Sequence, residues 1–197
     1  MTIDLRQVVD FAKYIHAGDT RKYTGAPYTT HLARVAGQTM LLNNVTRSMI
    51  AAAWLHDSVE DHADKCNFKL IESLFGEETA RYVECLTNTS KLYIPDRTRA
   101  QRKEWDRTRL ATVGEGADAH ILKIKLIDRM DNISELDLSK DGQAFADLYC
   151  TETMTLLYSL DFMEHRDEEF DTLMRLLKQK VMKTEELLNS IYSGTKA

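Results

Sequence analysis

Apolar residues recur at helical spacing from the start of the chain. Leu5, Val8, Ala12 and Ile15 fall on one face of a first helix, which Gly18 is suited to terminate. The same spacing returns along the chain, and no strand-like alternation competes with it. The sequence therefore predicts an all-α fold, with further helices over about 30–42, 46–55, 67–75, 77–86, 118–136, 143–163 and 167–192.

Polar residues mark the boundaries of several of these helices. Thr46 and Asn67 stand before apolar runs, where their side chains would accept hydrogen bonds from the first turn, and Gly76 ends the helix that Asn67 opens. The helix after Thr46 is apolar on nearly all sides, so we expect it at the centre of the fold. Polar and basic residues around Pro95 predict a loop over 88–102 that leads into a charged helix.

Glycine and proline are scarce, with eight and two among the 197 residues. Folds built from hairpins and short strands need more of these turn residues, so the composition argues against an all-β fold. The chain shows no internal repeat, low-complexity tract or linker, and its length suffices for one buried core. We therefore expect a single domain over residues 1–197.

The net charge is −5, with both signs interspersed, so duplex DNA is not expected as a main partner. No apolar stretch approaches the roughly 18–20 residues that span a bilayer, and the N-terminus lacks a signal pattern. We expect no membrane contact and a cytoplasmic location. Cys66, Cys85 and Cys150 show no Cys-x-x-Cys spacing, and we expect buried or half-buried thiols rather than a disulfide or zinc-thiolate site.

Candidate chemistry lies where polar residues interrupt an apolar pattern. His56 and Asp57 interrupt the segment AAAWLHDSV, and burying them costs several kcal/mol unless something compensates their polarity. Glu60 follows His56 by four residues, and Asp61 follows Asp57 by four. In a helix this spacing gathers three carboxylates and one imidazole within about one turn. A cation among them would relieve the repulsion between the carboxylates.

A second acid interrupts the apolar segment ILKIKLIDRMDNI, in which Asn132 follows Asp128 by one helical turn. His31 stands directly after PYTT and supplies a further imidazole. The proposed ligand set is therefore His31, His56, Asp57 and Asp128. Two imidazoles with two carboxylates suit Mn²⁺, Fe²⁺ or Zn²⁺ better than an all-oxygen Mg²⁺ or Ca²⁺ cage. The alternative, core polar residues that are satisfied by hydrogen bonds alone, stays open at this point.

Four segments, in the order RKYTGAPYTTH, AAWLHDSVED, LTNTSK and KIKLIDRMDN, resemble the hydrolase domain of bifunctional alarmone synthetase/hydrolases. The resemblance is closer still to the stand-alone small alarmone hydrolases, which belong to the metal-dependent HD phosphohydrolase superfamily. It covers about residues 6–160 and implies a helical bundle of the HD type.

The resemblance also implies residue roles. It assigns one Mn²⁺ ion to His31, His56, Asp57 and Asp128, and it assigns the attacking water to Glu60 and Asp61. An anionic purine nucleotide needs basic and aromatic side chains around it. The substrate contacts that the resemblance implies are Arg21, Lys22, Asn132, Lys91 and Tyr149. For Arg21 and Lys22 the alternative is a solvated loop, and for Lys91 it is a solvated helix face. For Tyr149 the alternative is a place in the core.

The implied activity is hydrolysis of the 3′-pyrophosphate of guanosine tetra- or pentaphosphate, which yields GDP or GTP plus pyrophosphate. One alternative is a broader HD nucleotide phosphohydrolase acting on adenosine analogues or other phosphorylated nucleotides. Another is an antitoxin-type partner of an alarmone synthetase. Asp19, Ala26 and Leu32 depart from the family pattern around the substrate rim, so they bear on substrate identity rather than on reaction class.

Four histidines fit none of these patterns. We expect them at the surface or at helix ends rather than in the metal site: His16, His62, His120 and His165.

Overall fold

The computed structural model describes residues 2–116, 118–163 and 166–193, and His165 lies outside these ranges. The described residues form helices and no strand, so the predicted all-α class is confirmed. The helices are α1 (Leu5–Ile15), α2 (Thr29–Thr39), α3 (Arg47–Leu55), α4 (Ser58–Asp61), α5 (Phe68–Phe75), α6 (Glu77–Leu86), α7 (Ser90–Tyr93), α8 (Arg99–Gly114), α9 (Leu122–Ser134), α10 (Gln143–Leu160) and α11 (Glu168–Ser193), with a 3-10 turn at Ala119–Ile121.

The predicted helix caps are present. The side chain of Thr46 accepts a hydrogen bond from the backbone of Met49 at 3.2 Å, and that of Asn67 accepts one from Leu70 at 3.0 Å. Gly76 ends α5 with φ = +90°, a conformation that side chains other than glycine rarely adopt. Local signals therefore set the bounds of α3 and α5 as expected.

The predicted loop over 88–102 differs from the structure. It contains the short helix α7, and α8 begins within it at Arg99. Asp106 on α8 explains the extra turn, because its carboxylate accepts from the backbone N–H of Ser90 at 3.0 Å and from its hydroxyl at 2.6 Å. Both residues are buried, so a contact with α8 organises a segment whose own sequence predicts none.

Two clusters of buried apolar residues share helix α9. Ile124 and Ile127 face the cluster formed with α1, α2, α3, α5 and α6, whereas Leu122 and Leu126 face the one formed with α8, α10 and α11. Helix α3 carries buried residues along most of its length, as its apolar sequence predicts. Polar residues on α9 are thereby placed between the two clusters.

The segment HDSVED is not one continuous helix. Helix α3 ends at Leu55, α4 begins at Ser58, and His56 and Asp57 form the turn between them. None of the described helices is long and apolar enough to cross a membrane. In the described part of the chain Cys66 and Cys150 are buried free thiols and Cys85 is half-buried, as predicted.

Candidate metal centre

Two helices and one turn bring the four predicted ligands together. His31 lies in the first turn of α2, His56 and Asp57 follow α3, and Asp128 lies on α9. Oδ1 of Asp128 is 3.3 Å from Nε2 of His31 and 3.6 Å from Nε2 of His56. Oδ2 of Asp57 lies 3.0 Å from Nε2 of His56 and 3.7 Å from Nε2 of His31. Two carboxylates thus flank two imidazoles.

The outer nitrogens of both histidines are occupied by hydrogen bonds. Nδ1 of His31 lies 2.6 Å from Oδ2 of Asp131, and Nδ1 of His56 lies 2.9 Å from the carbonyl oxygen of Ala53. Each Nδ1 therefore carries a proton, so Nε2 is the nitrogen that can bind a cation, which would displace the second proton that the carboxylates favour when no ion is bound. Neither buried Nε2 has a hydrogen-bond partner among the described residues. A divalent cation bound by both nitrogens explains this arrangement, and the donor set fits one.

The electrostatics of the cluster agree with a cation site. Burial lowers the pKa of both histidines, but the surrounding carboxylates outweigh it and raise the pKa of His31 to about 11 and that of His56 to about 9. Burial opposes ionisation of Asp57 and Asp128 as well, yet His56 and Lys125 respectively help to hold their pKa values well below the usual range. The carboxylates favour positive charge at this position, and a metal ion can supply it.

Asp131 and its partners form an outer layer that the sequence did not single out. Arg34 binds Asp131 through two hydrogen bonds of 2.6 and 2.9 Å and also pairs with Glu135. Carboxylates that orient metal-ligating histidines are a common second layer of such sites. Asp131 follows Asp128 by three residues, so the sequence indicates that it lies near the ligand on the same helix. The sequence does not show that Asp131 faces α2.

Arg21, predicted to contact the substrate or else to lie in a solvated loop, is mostly buried. Its side chain is 10% exposed, donates to Glu135 at 2.6 Å and to Oδ1 of Asn132 at 2.7 Å. Asn132 in turn donates to Oδ1 of Asp128 at 2.6 Å. The reason is tertiary, since the loop before α2 packs against the end of α9. Lys22 points elsewhere, and its Nζ lies 4.8 Å from the ring centre of Phe145.

The acidic pair beside the ligands is bridged by a lysine. Nζ of Lys91 lies 2.9 Å from Oε1 of Glu60 and 3.2 Å from Oδ1 of Asp61. The other oxygen of Glu60 accepts from the backbone N–H of Asn88 at 3.0 Å. Partial burial, together with the charge of Asp57, raises the pKa of Asp61 to about 6. Asp61 is therefore largely ionised at neutral pH but more basic than an ordinary aspartate.

A cleft of about 390 Å³ opens next to the four-residue cluster. Of the predicted ligands, Asp57 and Asp128 line it, and the imidazoles lie behind them. The predicted catalytic residues Glu60 and Asp61 line the cleft. So do the predicted substrate contacts Lys91, Asn132 and Tyr149, whereas Arg21 and Lys22 do not line it.

Basic residues from α8 and α9 also line the cleft. The guanidinium of Arg129 lies 4.4 Å from the ring centre of Tyr149, and Lys125 lies 3.4 Å from Oδ2 of Asp128. Burial and the nearby charge of Arg129 lower the pKa of Lys103 to about 8. Positive charge is therefore present in the cleft beside an acidic metal centre, a combination that suits a phosphorylated ligand.

The family profile described as "HD domain" matches residues 8–156, about three quarters of the chain. The chain belongs to the HD-domain family. Membership and the buried His/Asp cluster together indicate a divalent-metal site, in agreement with the sequence interpretation.

Curated relatives share this region. A probable guanosine-3′,5′-bis(diphosphate) 3′-pyrophosphohydrolase from Synechocystis is 40% identical over 134 residues, which are 68% of this chain and 17% of that protein. The bifunctional (p)ppGpp synthase/hydrolase SpoT of Escherichia coli K12 is 35% identical over 134 residues, 67% of this chain and 18% of that protein. The HD-domain chain thus spans less than a fifth of these relatives.

Solved structures share the fold. A metazoan ortholog of SpoT that hydrolyses ppGpp aligns with a TM-score of 0.68 and 21% identity, covering 92% of this chain and 93% of that one. A Listeria monocytogenes protein aligns with a TM-score of 0.59 and 20% identity, covering 82% and 99%. The helical bundle is therefore common to all three chains.

Proposed function

We propose that this HD-domain protein hydrolyses the 3′-pyrophosphate of guanosine tetra- and pentaphosphate and releases GDP or GTP with pyrophosphate. The observation that carries the proposal is the pair of unpartnered imidazole nitrogens facing two carboxylates, beside a cleft whose lining includes lysines and two arginines. The names of the curated relatives support the choice of substrate.

The metal in this proposal is one Mn²⁺ ion held by His31, His56, Asp57 and Asp128. Two imidazoles and two carboxylates form a mixed nitrogen and oxygen set, which suits Mn²⁺, Fe²⁺ or Zn²⁺. A bound ion of this class lowers the pKa of a coordinated water and withdraws charge from a phosphoryl oxygen. Tyr28 supports the set because its hydroxyl donates to Oδ2 of Asp57 at 2.7 Å.

Glu60 and Asp61 handle the proton of the attacking water in this scheme. Asp61 is suited to act as the base because its pKa is raised to about 6, so it is ionised at neutral pH and accepts a proton more readily than an ordinary aspartate. Lys91 bridges the two carboxylates and offsets part of the repulsion between them. The carboxylate pair is thus close to the metal centre without belonging to the four ligands.

The remaining cleft residues hold the substrate. Lys103 and Arg129 face phosphate groups as charge-assisted donors, and Tyr149 offers a ring that a purine can contact. Asn132 links the cleft to Arg21, which orients this amide rather than binding phosphate directly. Lys22 contributes only through long-range charge, because it lies over Phe145.

The test is an assay of the purified protein with guanosine 3′,5′-bispyrophosphate in the presence of Mn²⁺. We expect equal amounts of GDP and pyrophosphate, no turnover in chelator, and recovery on addition of Mn²⁺. Asp61→Asn should retain bound metal and lose turnover, whereas Asp64→Asn, an exposed neighbour, should behave as wild type.

Other outcomes distinguish the alternatives. Faster release from adenosine 3′,5′-bispyrophosphate or from other nucleotides would replace the guanosine assignment with a broader nucleotide hydrolase. Metal-loaded protein that turns over no nucleotide but suppresses an added alarmone synthetase would favour the antitoxin alternative. Retained turnover in Asp61→Asn would remove that residue from the proton-transfer role.

A further inference from the structure

Two of the histidines that the sequence assigned to the surface or to helix ends meet at a second cluster. His16 ends α1 and His62 ends α4, and both rings approach Asp19 in the loop after α1. Nδ1 of His16 lies 3.0 Å from Oδ2 of Asp19, and Nε2 of His62 lies 2.6 Å from the same oxygen. The three atoms all lie within 4.8 Å of one another, the spacing of ligands around one ion.

The cluster is separate from the candidate metal centre. It shares none of the four ligands; Tyr28 lies between, since its ring stacks on that of His16 at 4.9 Å while its hydroxyl donates to Asp57. His16 is 2% exposed, contrary to a surface position, whereas the side chains of His62 and Asp19 are 15% and 34% exposed. One side of the cluster is therefore buried and the other opens to water.

The charge states of His16 and Asp19 suit metal binding, in which the ion would replace the protons that the imidazoles direct at Asp19. Burial lowers the pKa of His16, which favours the neutral imidazole at physiological pH. Burial opposes ionisation of Asp19, but hydrogen bonds from His62 and His16 outweigh it and hold the pKa of this carboxyl below its usual value. The buried side of the cluster is also at the C-terminal end of α1, where the helix dipole favours a cation.

We propose that His16, Asp19 and His62 form a second site for a zinc-class divalent ion, independent of the HD centre. Two imidazole nitrogens and one carboxylate oxygen are the donors that Zn²⁺ and Co²⁺ prefer, and the exposed side leaves room for water as a fourth ligand. The simpler reading is a carboxylate that accepts hydrogen bonds from two imidazoles and binds no ion. The two readings differ in metal content, so they can be separated without any substrate.

The experiment titrates the metal-free chain of 197 residues with Zn²⁺ by calorimetry and follows the visible absorption of bound Co²⁺. We expect two ions in the wild type and one in His62→Gln, whose amide still donates to Asp19 but is a poor zinc ligand. The Zn²⁺ affinity of the second site should fall about 100-fold or more. Changing a residue that only orients a ligand lowers metal affinity about 10–100-fold, and removing a ligand itself has a larger effect. Asp19→Asn should show the same loss.

His120→Gln is the matched control, because that histidine contacts Tyr82 at 3.0 Å and neither cluster. It should still bind two ions. Asp128→Asn should bind one, with the Co²⁺ absorption of the second site intact, and should show that the two sites are independent. Circular dichroism checks that each variant is folded; if Asp128→Asn is not, the comparison of wild type with His62→Gln decides.

One stoichiometry would overturn the proposal. If the wild type binds a single ion and His62→Gln and Asp19→Asn bind it equally well, the cluster is a hydrogen-bonded network only. This outcome leaves the proposed hydrolase activity unaffected, because that activity depends on the four HD ligands. Conversely, loss of alarmone turnover in the assay above would not change the metal content expected here.

Discussion

At the scale of single residues, the site depends on the groups that orient its ligands. Asp131 holds Nδ1 of His31 at 2.6 Å and is itself held by Arg34. The pKa of Asp131 is lowered to about 2, because hydrogen bonds from His31 and Arg34 outweigh the cost of burial. The carboxylate is therefore ionised throughout the physiological range, and it fixes the proton of His31 on the side away from the metal.

Asp131→Asn is expected to weaken metal binding about 10–100-fold, because the neutral amide orients the imidazole of His31 less firmly and makes it a poorer donor. Calorimetric titration of the metal-free protein with Mn²⁺ measures the change. Glu135→Gln is the control, since Glu135 contacts Arg34 and Arg21 but not His31. Equal affinities of wild type and Asp131→Asn would show that the packing of α2 alone orients His31.

Lys103 predicts a pH dependence of substrate binding. Burial and Arg129 lower its pKa to about 8, so the side chain is charged below pH 8 and loses its charge above it. The KM for the anionic nucleotide should therefore rise as pH passes through 8, by up to about tenfold for the loss of one charge-assisted contact of about 1.5 kcal/mol. Lys103→Arg should remove this rise. A KM that changes equally in both proteins would point to another group.

At the scale of elements, contacts between helices override local preference in the segment that follows α6. Asp106 on α8 satisfies the backbone and hydroxyl of Ser90, and Trp105 donates to Oγ1 of Thr89 at 3.3 Å. These contacts hold α7 in place. Lys91 belongs to α7, so the same contacts keep its side chain beside Glu60 and Asp61. The positions of Lys91 and of Glu60 are thus tied to α8.

Asp106→Ala should lower the free energy of unfolding by about 1–3 kcal/mol, because it leaves buried donors of Ser90 without an acceptor. It should also reduce turnover through the displaced Lys91. Urea denaturation followed by circular dichroism gives the stability. Asp96→Ala, an exposed aspartate of the same segment, should change neither quantity. A stability loss no larger in Asp106→Ala than in this control would refute the anchoring role.

At the scale of the whole molecule, the metal centre joins the two apolar clusters. His31 and His56 come from the side of α2 and α3, and Asp128 comes from α9, which faces both clusters. A ligand that binds only the folded chain stabilises it according to its concentration and affinity. The metal is therefore expected to contribute to the stability of the entire bundle.

Removal of the metal should lower the melting temperature. At a Mn²⁺ concentration 100 times Kd the stabilisation is about 2.7 kcal/mol, which for a chain of this size corresponds to about 5–10 °C. Thermal unfolding with chelator and after adding Mn²⁺ back measures the shift. Asp128→Asn should show little response to Mn²⁺. Identical melting curves of the wild type with and without metal would mean that ligand binding is not coupled to folding.

The sequence by itself determined most of the helices and the four candidate ligands. Thr46, Asn67 and Gly76 act on backbone groups within a few residues, so their effect is readable without the fold. His56 and Asp128 stood out because a polar residue in an apolar helical pattern needs compensation wherever the segment packs. Charge and composition likewise follow from the chain alone.

Only the tertiary structure decided which partners these residues meet. Asp131 reaches His31 across 100 residues of sequence, and Arg21 reaches Glu135 across 114. Asp19 and His62 are 43 residues apart in the sequence and become neighbours because the C-terminal ends of α1 and α4 lie next to each other. Hydrogen bonds and metal ligation need atoms within a few ångströms, and that proximity depends on how helices rotate and pack, which periodicity does not specify.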